Sequence, residues 1–257
     1  MKNVQAERDH ALDIIKFMAI ATMIIDHSRF LFPSLSMLFV TIGRASFPFF
    51  AICIAYNTHR LIDSFKVDSL NRYLRHLAIF AVISEIPHML LFWVGDAPRT
   101  HNSILTLLIG AVFIMLYEIE THQTKVKYLT ITLFSIVLAA LEHKLEYGLP
   151  GVLLVTTLYA MAKSDSLPYK VLLLVVSMLV AIGMNLRYLG VTIEYYGWLN
   201  MYTIPFIAMI VSSLLFAFTL LHVVNINKSY CTVGKWMYWI YPTHMLIFAV
   251  VAMMMKH

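Results

Sequence analysis

Residues 11–27 read ALDIIKFMAIATMIIDH, an apolar run that contains four ionisable side chains, Asp13, Lys16, Asp26 and His27. The run continues to about residue 32, and it reaches the roughly 20 residues that a helix needs to cross a bilayer. Ionisable side chains are costly in such a helix and usually face a cavity or a pathway. The segment therefore predicts a membrane helix whose polar side chains serve a function.

The composition of the whole chain also favours a membrane protein. Of 257 residues, 60% are hydrophobic and 13% are charged, whereas soluble domains are about half apolar and a quarter charged. The longest polar stretch, about residues 57–76, is too short to build a core of its own. We therefore predict a single membrane domain over residues 1–257, in which residues 1–11 form a short cytoplasmic segment.

The apolar runs predict an all-α polytopic integral membrane protein, a bundle of about nine (8–10) transmembrane helices. The predicted spans are residues 12–32, 36–57, 74–94, 102–119, 127–143, 148–163, 168–186, 198–222 and 234–255. Lysine and arginine are concentrated in alternate connections, which indicates a cytoplasmic N-terminus. The net charge of +5 fits basic cytoplasmic loops and indicates no nucleic-acid partner.

Lys16 and His27 share one face of the first predicted helix. Eleven steps of about 100° bring His27 roughly 20° past three full turns, and the two residues lie roughly 16 Å apart along the axis. Asp13 is three residues before Lys16 and can pair with it. An imidazole is the natural general base near neutral pH. The alternative is that Lys16 reaches the inner interface and His27 lies among the outer headgroups.

Asp26 and Arg44 are two further charged residues in the first two predicted helices. Asp26 points about 100° away from His27, which argues against a direct contact, and it either faces Arg44 or ends the helix. Arg44 comes before Pro48 in the run from Gly43 to Ala51, and both residue types are costly inside an apolar helix. Arg44 can bind an acid or an anionic ligand, or it can be neutralised by Asp26 or by another carboxylate.

That other carboxylate is Glu85, which lies beside Pro87 in the third predicted helix. Glu85 is either a proton carrier or the counter-ion of Arg44. Four more polar residues fall on the predicted outer side as substrate-binding or structural support: Asn102, Tyr147, Asn185 and His244. Each type alone is more often a contact between helices, so their shared side of the membrane is what indicates a common site.

The sequence also lacks the motifs of several enzyme classes. It contains no phosphate-binding glycine loop, no HExxH, no Gly-x-Ser-x-Gly and no metal-type spacing of His and Cys. We therefore predict no metal. Cys53 and Cys231 form no disulfide framework, and we interpret both as structural.

The pattern Asp13-x-x-Lys16-x10-His27 resembles the Asp-x-x-Arg-x10-His signature of type 3 membrane acyltransferases, with Lys in place of Arg. A closer resemblance is to the TraX family, the conjugative F-pilin N-terminal acetylases. It rests on Asp13 to Lys16, Asp26-His27 and Gly43 to Ala51, and more loosely on Tyr147-Gly148-Leu-Pro-Gly151 and Tyr241 to His244.

This resemblance implies acetyl transfer from cytoplasmic acetyl-CoA, without a metal, across the bacterial cytoplasmic (inner) membrane. It implies His27 as general base, Lys16 with Asp13 at the CoA, and Arg44 and Glu85 as further catalytic residues. The expected partners are membrane lipids and an outer acceptor, which is either a peptide N-terminal amine such as that of a pilin or a glycan hydroxyl.

Two other classes of protein fit parts of the pattern. A proton-coupled small-molecule transporter would use Asp26, His27 and Glu85 as a relay, but it predicts internal repeats, and the sequence shows none. A membrane scaffold would leave the shared face of Lys16 and His27 unexplained.

Overall fold

The computed structural model describes residues 9–97, 100–118, 124–226, 233–234 and 236–256, and these are almost entirely helical. The α-helices are α1 His10–His27, α2 Ser36–Gly43, α3 Ser46–Asp63, α4 Val67–Val94, α5 Ser103–Glu118, α6 Thr124–Ala140, α7 Gly148–Lys163, α8 Leu167–Gly183, α9 Leu186–Tyr196, α10 Thr203–His222 and α11 Met237–Lys256. Short 3-10 turns span Ser28–Phe30, Pro33–Leu35 and Glu142–Lys144. The described residues contain no strand, although His101 and Leu145 form an isolated bridge.

Helix α1 lies inside the bundle. The Asp9 carboxylate caps its N-terminus by accepting a hydrogen bond of 3.0 Å from the Leu12 amide. The small side chain of Ala19 lets α3 approach closely, and the Ser46 hydroxyl of α3 donates to the Ala19 carbonyl over 3.2 Å. Ile15 and Ala19 are fully buried. The polar residues of α1 therefore face protein rather than lipid.

The remaining helices pack around α1 and α3. Helix α3 packs along α1 and α7, α7 contacts α5 and α8, and α4 lies along α11. Their buried apolar faces form one large core, which includes Ile52, Leu154, Leu158, Ile210 and Leu214. Helix α6 lies at the edge, since Leu138 is the buried residue among its described side chains.

The second predicted helix is interrupted within its span, although Pro33–Asp63, which contains the predicted residues 36–57, is one apolar helical stretch long enough to cross a membrane. Helix α2 ends at Gly43 and α3 begins at Ser46. Pro48 has no N–H, and its ring clashes with the carbonyl four residues earlier in a continuous helix. That carbonyl belongs to Arg44, which lies in the break between the two helices. Pro48 therefore accounts for the break at residues 44–45.

A short helix that we did not predict follows α8. The predicted span 168–186 ends early at Gly183, and α9 then leaves at 65° to α8. Helix α10 begins at Thr203 rather than near residue 198. The Asn200 side-chain oxygen accepts hydrogen bonds from the amides of Tyr202 and Thr203, over 2.7 and 3.0 Å, and caps this end.

Several described helices are long and apolar enough to cross a membrane. They are Pro33–Asp63, which includes α2 and α3, then Val67–Val94, Thr203–His222 and Met237–Lys256, with α8 and α9 as a fifth if the bent pair is one span. Helices α5 and α7 are apolar but have 16 residues each, and α1 carries Asp13, Lys16 and Asp26. The chain is thus an all-helical protein with membrane-spanning helices, while the count of about nine is not confirmed.

Candidate active site

The candidate base His27 contacts a second histidine. His27 is the last residue of α1, and His244 lies in α11. The two rings stack with centroids 5.0 Å apart, and 2.7 Å separates His27 Nδ1 from His244 Nε2. Both residues are buried. The sequence predicts His244 as a support residue, and the structure places it against the predicted base.

The hydrogen bonds of this pair define the tautomer of His27. His244 Nδ1 lies 2.7 Å from the Ile240 carbonyl oxygen, which can only accept, so this nitrogen carries a hydrogen. In neutral His244, Nε2 then has a lone pair and accepts from His27 Nδ1–H. His27 Nε2 is left as the basic nitrogen, which is the atom that a general base needs.

Asp26 joins two arginines instead of His27. Its Oδ1 accepts from Arg44 Nη2 over 3.2 Å, and its Oδ2 accepts from Arg29 Nη1 over 2.7 Å. The closest approach of Asp26 to His27 Nε2 is 3.9 Å, which is too long for a hydrogen bond. Of the two positions predicted for Asp26, the structure has the one that faces Arg44.

The break between α2 and α3 holds Arg44 in place. Arg44 Nε donates to the Val40 carbonyl over 3.1 Å, and Nη1 donates to the side-chain oxygen of Asn185 over 3.1 Å. Asn185 itself donates to the Ala181 carbonyl over 2.8 Å, at the bend between α8 and α9. Asn185 therefore supports the Arg44–Asp26 pair from a third element.

A small cavity of about 20 Å³ lies beside His27. We call it the His27 cavity, and it is lined by Met23, Asp26, His27, Gly43, Ser46, Phe47, Phe50, Ser103, Glu146, Tyr147 and Tyr241. The ring of Tyr147, one of the predicted support residues, packs 4.0 Å from the ring of Phe47. The His27 cavity thus combines a base, two carboxylates and two phenols.

Two further cavities continue along the same face of α1. The middle cavity has a volume of about 220 Å³, and it shares Met23, Phe50, Ser103 and Tyr241 with the His27 cavity. The entrance cavity shares Lys16 and Val233 with the middle cavity. Along α1 the lining residues are Lys16, Ile20, Met23 and His27, and their spacing of four, three and four residues is one helix face.

The entrance cavity carries charges of both signs. Lys16, Arg60 and Lys66 line it together with Asp9 and Asp13. The predicted pair of Lys16 with Asp13 is present, with Lys16 Nζ 3.3 Å from Asp13 Oδ1. Lys16 therefore lies where the entrance and middle cavities meet, eleven residues before His27 on α1.

Glu146 also lines the His27 cavity, and the sequence did not indicate it. The bridge between residues 101 and 145 holds its backbone, because the Glu146 amide donates to the His101 carbonyl over 3.2 Å. Burial, and then the nearby Asp26 carboxylate, raise the pKa of Glu146 from 4.5 to about 7. Glu146 can therefore exchange a proton near neutral pH.

Tyr241 connects the His27 cavity to another buried histidine. Its hydroxyl lies 3.3 Å from His88 Nδ1 and accepts from the Ser103 hydroxyl over 3.4 Å. His88 Nε2 donates to the Thr100 carbonyl over 3.0 Å, so His88 Nδ1 has a lone pair that accepts from Tyr241. This chain of hydrogen bonds fixes the Tyr241 ring at the border of the His27 and middle cavities.

Glu85 lies in a different cluster. Its carboxylate contacts His101 Nδ1 over 2.7 Å and accepts from the Asn102 amide over 3.2 Å. Asn102 also caps α5, since its side-chain oxygen accepts from the Leu105 amide over 3.3 Å. The Arg44 carboxylate partner in the structure is Asp26, not Glu85, and Glu85 does not line the His27 cavity.

The described residues hold no cluster of three His, Cys, Asp or Glu side chains arranged for a metal. Cys53 is a free buried thiol on the middle cavity. Cys231 lies outside the described residues. The His27 cavity itself is lined by acid–base side chains, namely Asp26, His27, Glu146, Tyr147 and Tyr241.

A family model described as TraX protein matches residues 11–252, nearly the whole chain. The chain belongs to the TraX family. Comparison with curated proteins and with solved structures gave no match. The matched range includes every residue that lines the His27 cavity of this TraX protein and both histidines of the pair. The resemblance read from the helix 1 and helix 2 motifs is thus confirmed.

Proposed function

We propose that this TraX protein is a membrane-embedded acetyltransferase that moves an acetyl group from cytoplasmic acetyl-CoA to an acceptor on the outer side. The observation that carries the proposal is the row of adjoining cavities along α1, from Lys16 to the basic nitrogen of His27. Eleven residues of helix span roughly 16 Å, so a long, thin donor is needed to reach from one end to the other. A phosphopantetheine arm has that shape.

The entrance cavity suits the anionic end of the donor. Lys16, Arg60 and Lys66 supply positive charge there, and cationic side chains bind phosphate groups by charge-assisted hydrogen bonds. Asp13 holds the Lys16 ammonium within 3.3 Å. The middle cavity is lined mainly by apolar side chains such as Ile20, Ile54 and Leu107, which suits an uncharged arm.

The base is His27 Nε2. The acceptor's nitrogen or oxygen attacks the thioester carbonyl while Nε2 takes its proton, and the tetrahedral intermediate then expels the CoA thiolate, which recovers that proton. His244 Nε2 accepts from His27 Nδ1–H throughout, so it keeps the ring oriented and favours the charged imidazolium. The proton balance closes with CoA leaving as a thiol.

The arginines next to the cavity supply electrostatic stabilisation. Asp26 carries one negative charge and pairs with Arg29 and Arg44, which leaves one net positive charge beside the reacting centre. Such a fixed charge stabilises the developing oxyanion. Glu85, which we predicted as catalytic, acts in this proposal through Asn102 and the start of α5, and thereby positions Ser103 on the cavity.

The setting of the reaction is the bacterial inner membrane, crossed about nine times, with a cytoplasmic N-terminus. The basic residues around the α3–α4 connection, Arg60, Lys66, Arg72 and Arg75, support this orientation, because the cytoplasmic side is enriched in lysine and arginine. The resemblance to F-pilin N-terminal acetylases supports a peptide amine, such as that of a pilin, as acceptor. A glycan hydroxyl is the other acceptor with the chemistry that this site handles.

His27→Ala tests the base directly. We expect acetyl transfer from radiolabelled acetyl-CoA in inverted membrane vesicles to fall by about 100- to 10,000-fold, since general base catalysis contributes that much. His59→Ala is the matched control, because His59 packs against Tyr159 away from the three cavities. Membrane insertion of both variants should equal that of the wild type.

Two results would contradict the proposal. Full transfer activity in His27→Ala would remove His27 as the base. Proton-driven uptake of a small molecule by the purified protein, without any acetyl-CoA dependence, would instead support the transporter alternative.

A further inference from the structure

Glu146 is a carboxyl group without a salt bridge in the described part of the chain. It lines the His27 cavity together with Asp26, but both neighbouring guanidinium groups contact Asp26. The Oε2 atom of Glu146 is buried and has no hydrogen-bond partner among the described residues. One of two carboxylates in the same cavity is therefore fully paired, and the other is not.

An unpaired buried carboxylate is expensive, and proteins usually neutralise or pair such a group. Glu146 is also held at its backbone, by the bridge between His101 and Leu145 and by the hydrogen bond from its amide to the His101 carbonyl. A rigid acceptor oxygen that has no partner in the chain is suited to a ligand that brings a positive charge and a hydrogen-bond donor. An ammonium group has both properties, whereas a sugar hydroxyl has no charge.

We infer that Glu146 binds the protonated amine of the acceptor in the His27 cavity and removes one of its protons. The inference rests on the proposed acetyl transfer to an amine and adds a residue to it. It also gives Glu146 a role as a catalytic residue that touches the substrate.

The proton balance requires two bases for an amine. The ammonium first gives one proton to the Glu146 carboxylate and becomes a neutral amine. The amine nitrogen then attacks the thioester carbon, and its second proton goes to His27 Nε2 and on to the CoA thiolate. Glu146 later releases its proton to water. One ammonium and one thioester thus give one amide, one thiol and one proton.

The charges around Glu146 fit this order of steps. The groups that face it are Asp26 from α1, Arg29 from the following 3-10 turn, Arg44 from the α2–α3 break, and the phenols Tyr147 and Tyr241. With Glu146 ionised, the charges of Glu146 and Asp26 balance those of Arg29 and Arg44. The ammonium then meets no net positive charge and binds by direct contact with the Glu146 carboxylate. Once Glu146 is protonated, one net positive charge remains for the oxyanion.

The pKa of Glu146, about 7, suits the transfer. A peptide α-amine has a pKa of about 8, so a proton moves from the ammonium to this carboxylate at only a small cost. A carboxylate with an ordinary pKa of about 4.3 would be a much weaker base for the same proton.

Paired acceptors test the inference. Full-length protein in detergent micelles, where both faces are accessible, is given radiolabelled acetyl-CoA and either a short apolar peptide with a free N-terminal alanine or the same peptide with a lactyl hydroxyl at that position. We expect the wild type to acetylate the amine peptide at least about 100-fold faster. Glu146→Gln should lose about 100-fold on the amine peptide and keep its affinity for acetyl-CoA.

A pH profile separates catalysis from structure. With the amine peptide, the wild-type kcat/KM should be half-maximal near pH 7, the pKa of Glu146, whereas the residual activity of Glu146→Gln should be half-maximal near the pKa of the amine, about 8. Glu194→Gln is the matched control, because Glu194 is an exposed carboxylate of α9, and it should keep the wild-type profile.

The outcomes distinguish the two proposals. Transfer to the hydroxyl peptide at an equal or faster rate, or full amine activity in Glu146→Gln, would overturn the role of Glu146 and leave acetyl transfer by His27 intact. No transfer to either peptide by the wild type would overturn both.

Discussion

At the scale of single residues, the contact between His27 and His244 determines which nitrogen of His27, the proposed base, is free to accept a proton. The two rings are 217 positions apart in the chain, so helix phasing from the sequence predicts the face of His27 but not its partner. The same phasing correctly separates Asp26 from His27, because adjacent helix residues point about 100° apart. The orienting group comes from tertiary packing of α11 against the end of α1.

Replacing His244 tests this orienting role. His244→Ala removes the acceptor of His27 Nδ1–H, and we expect kcat for acetyl transfer to fall by roughly tenfold or more, but by less than in His27→Ala. His244→Gln offers an amide oxygen to the same N–H and should recover part of the loss. Equal activity of the alanine variant and the wild type would show that His27 needs no partner.

Glu146 shows a limit of residue-level prediction. A charged residue inside a predicted membrane helix is costly and therefore draws attention to itself. Glu146 lies in the connection between α6 and α7, where a charge gives no such signal. Its burial depends on the bridge between His101 and Leu145, a non-local contact without a sequence signature. The neighbouring Tyr147, which the TraX resemblance does indicate, is the nearest signal that could have drawn attention to it.

At the scale of elements, apolar length predicts most helices well. The predicted span 148–163 coincides with α7, and 102–119 lies within one residue of α5 at each end. The break at Arg44 and the helix α9 escaped prediction for different reasons. The break needs the packing that replaces lost backbone hydrogen bonds, and α9 is an amphipathic segment that lacks the apolar length on which the predictions relied.

The contact between α1 and the end of α2 depends on a missing side chain at Gly43. A Cβ atom at that position would lie 2.2 Å from Asp26 Oδ1, so Gly43→Ala must displace the carboxylate that holds Arg29 and Arg44. We expect a loss of about 1–3 kcal/mol in the free energy of unfolding, measured by thermal denaturation in detergent, together with reduced activity.

Gly190→Ala is the control for Gly43→Ala. Gly190 lies in α9, and a Cβ atom there meets nothing within 4 Å, so the helix should be unchanged or slightly more stable. Equal melting temperatures for the two variants would mean that Asp26 relaxes without cost.

The lining face of α1 offers a test of the donor path. Ile20 lies between Lys16 and Met23 on the middle cavity, and Ile20→Trp adds a bulky ring there. We expect the KM for acetyl-CoA to rise by about tenfold or more, since each 1.4 kcal/mol of lost binding is a factor of ten. Phe17→Trp places the same ring on the outer face of α1, where Phe17 is 46% exposed, and should behave like the wild type. A similar KM in both variants would argue against a donor in the middle cavity.

At the scale of the whole molecule, the direction of the reaction depends on which side each end of α1 faces. The cavities place Lys16, Met23 and His27 in that order along the bundle. This order is the same whichever end of α1 faces the cytoplasm. The distribution of charge favours one of the two orientations, because Arg60 and Lys66 lie near Lys16 and line the entrance cavity. Basic residues are retained on the cytoplasmic side, where acetyl-CoA is made available.

Cysteine labelling tests this orientation on intact cells. In a Cys53→Ala, Cys231→Ser background, Ser64→Cys marks the exposed α3–α4 connection and Asp96→Cys marks the exposed end of α4. We expect a membrane-impermeant maleimide to label the second variant in intact spheroplasts and the first only after lysis. Asp96 loses an exposed pair with Lys256, and such pairs contribute little to stability, so the fold should be preserved. The reverse labelling pattern would place Lys16 on the outside, and a cytoplasmic donor would then have to enter beside His27, which contradicts the proposed direction of transfer.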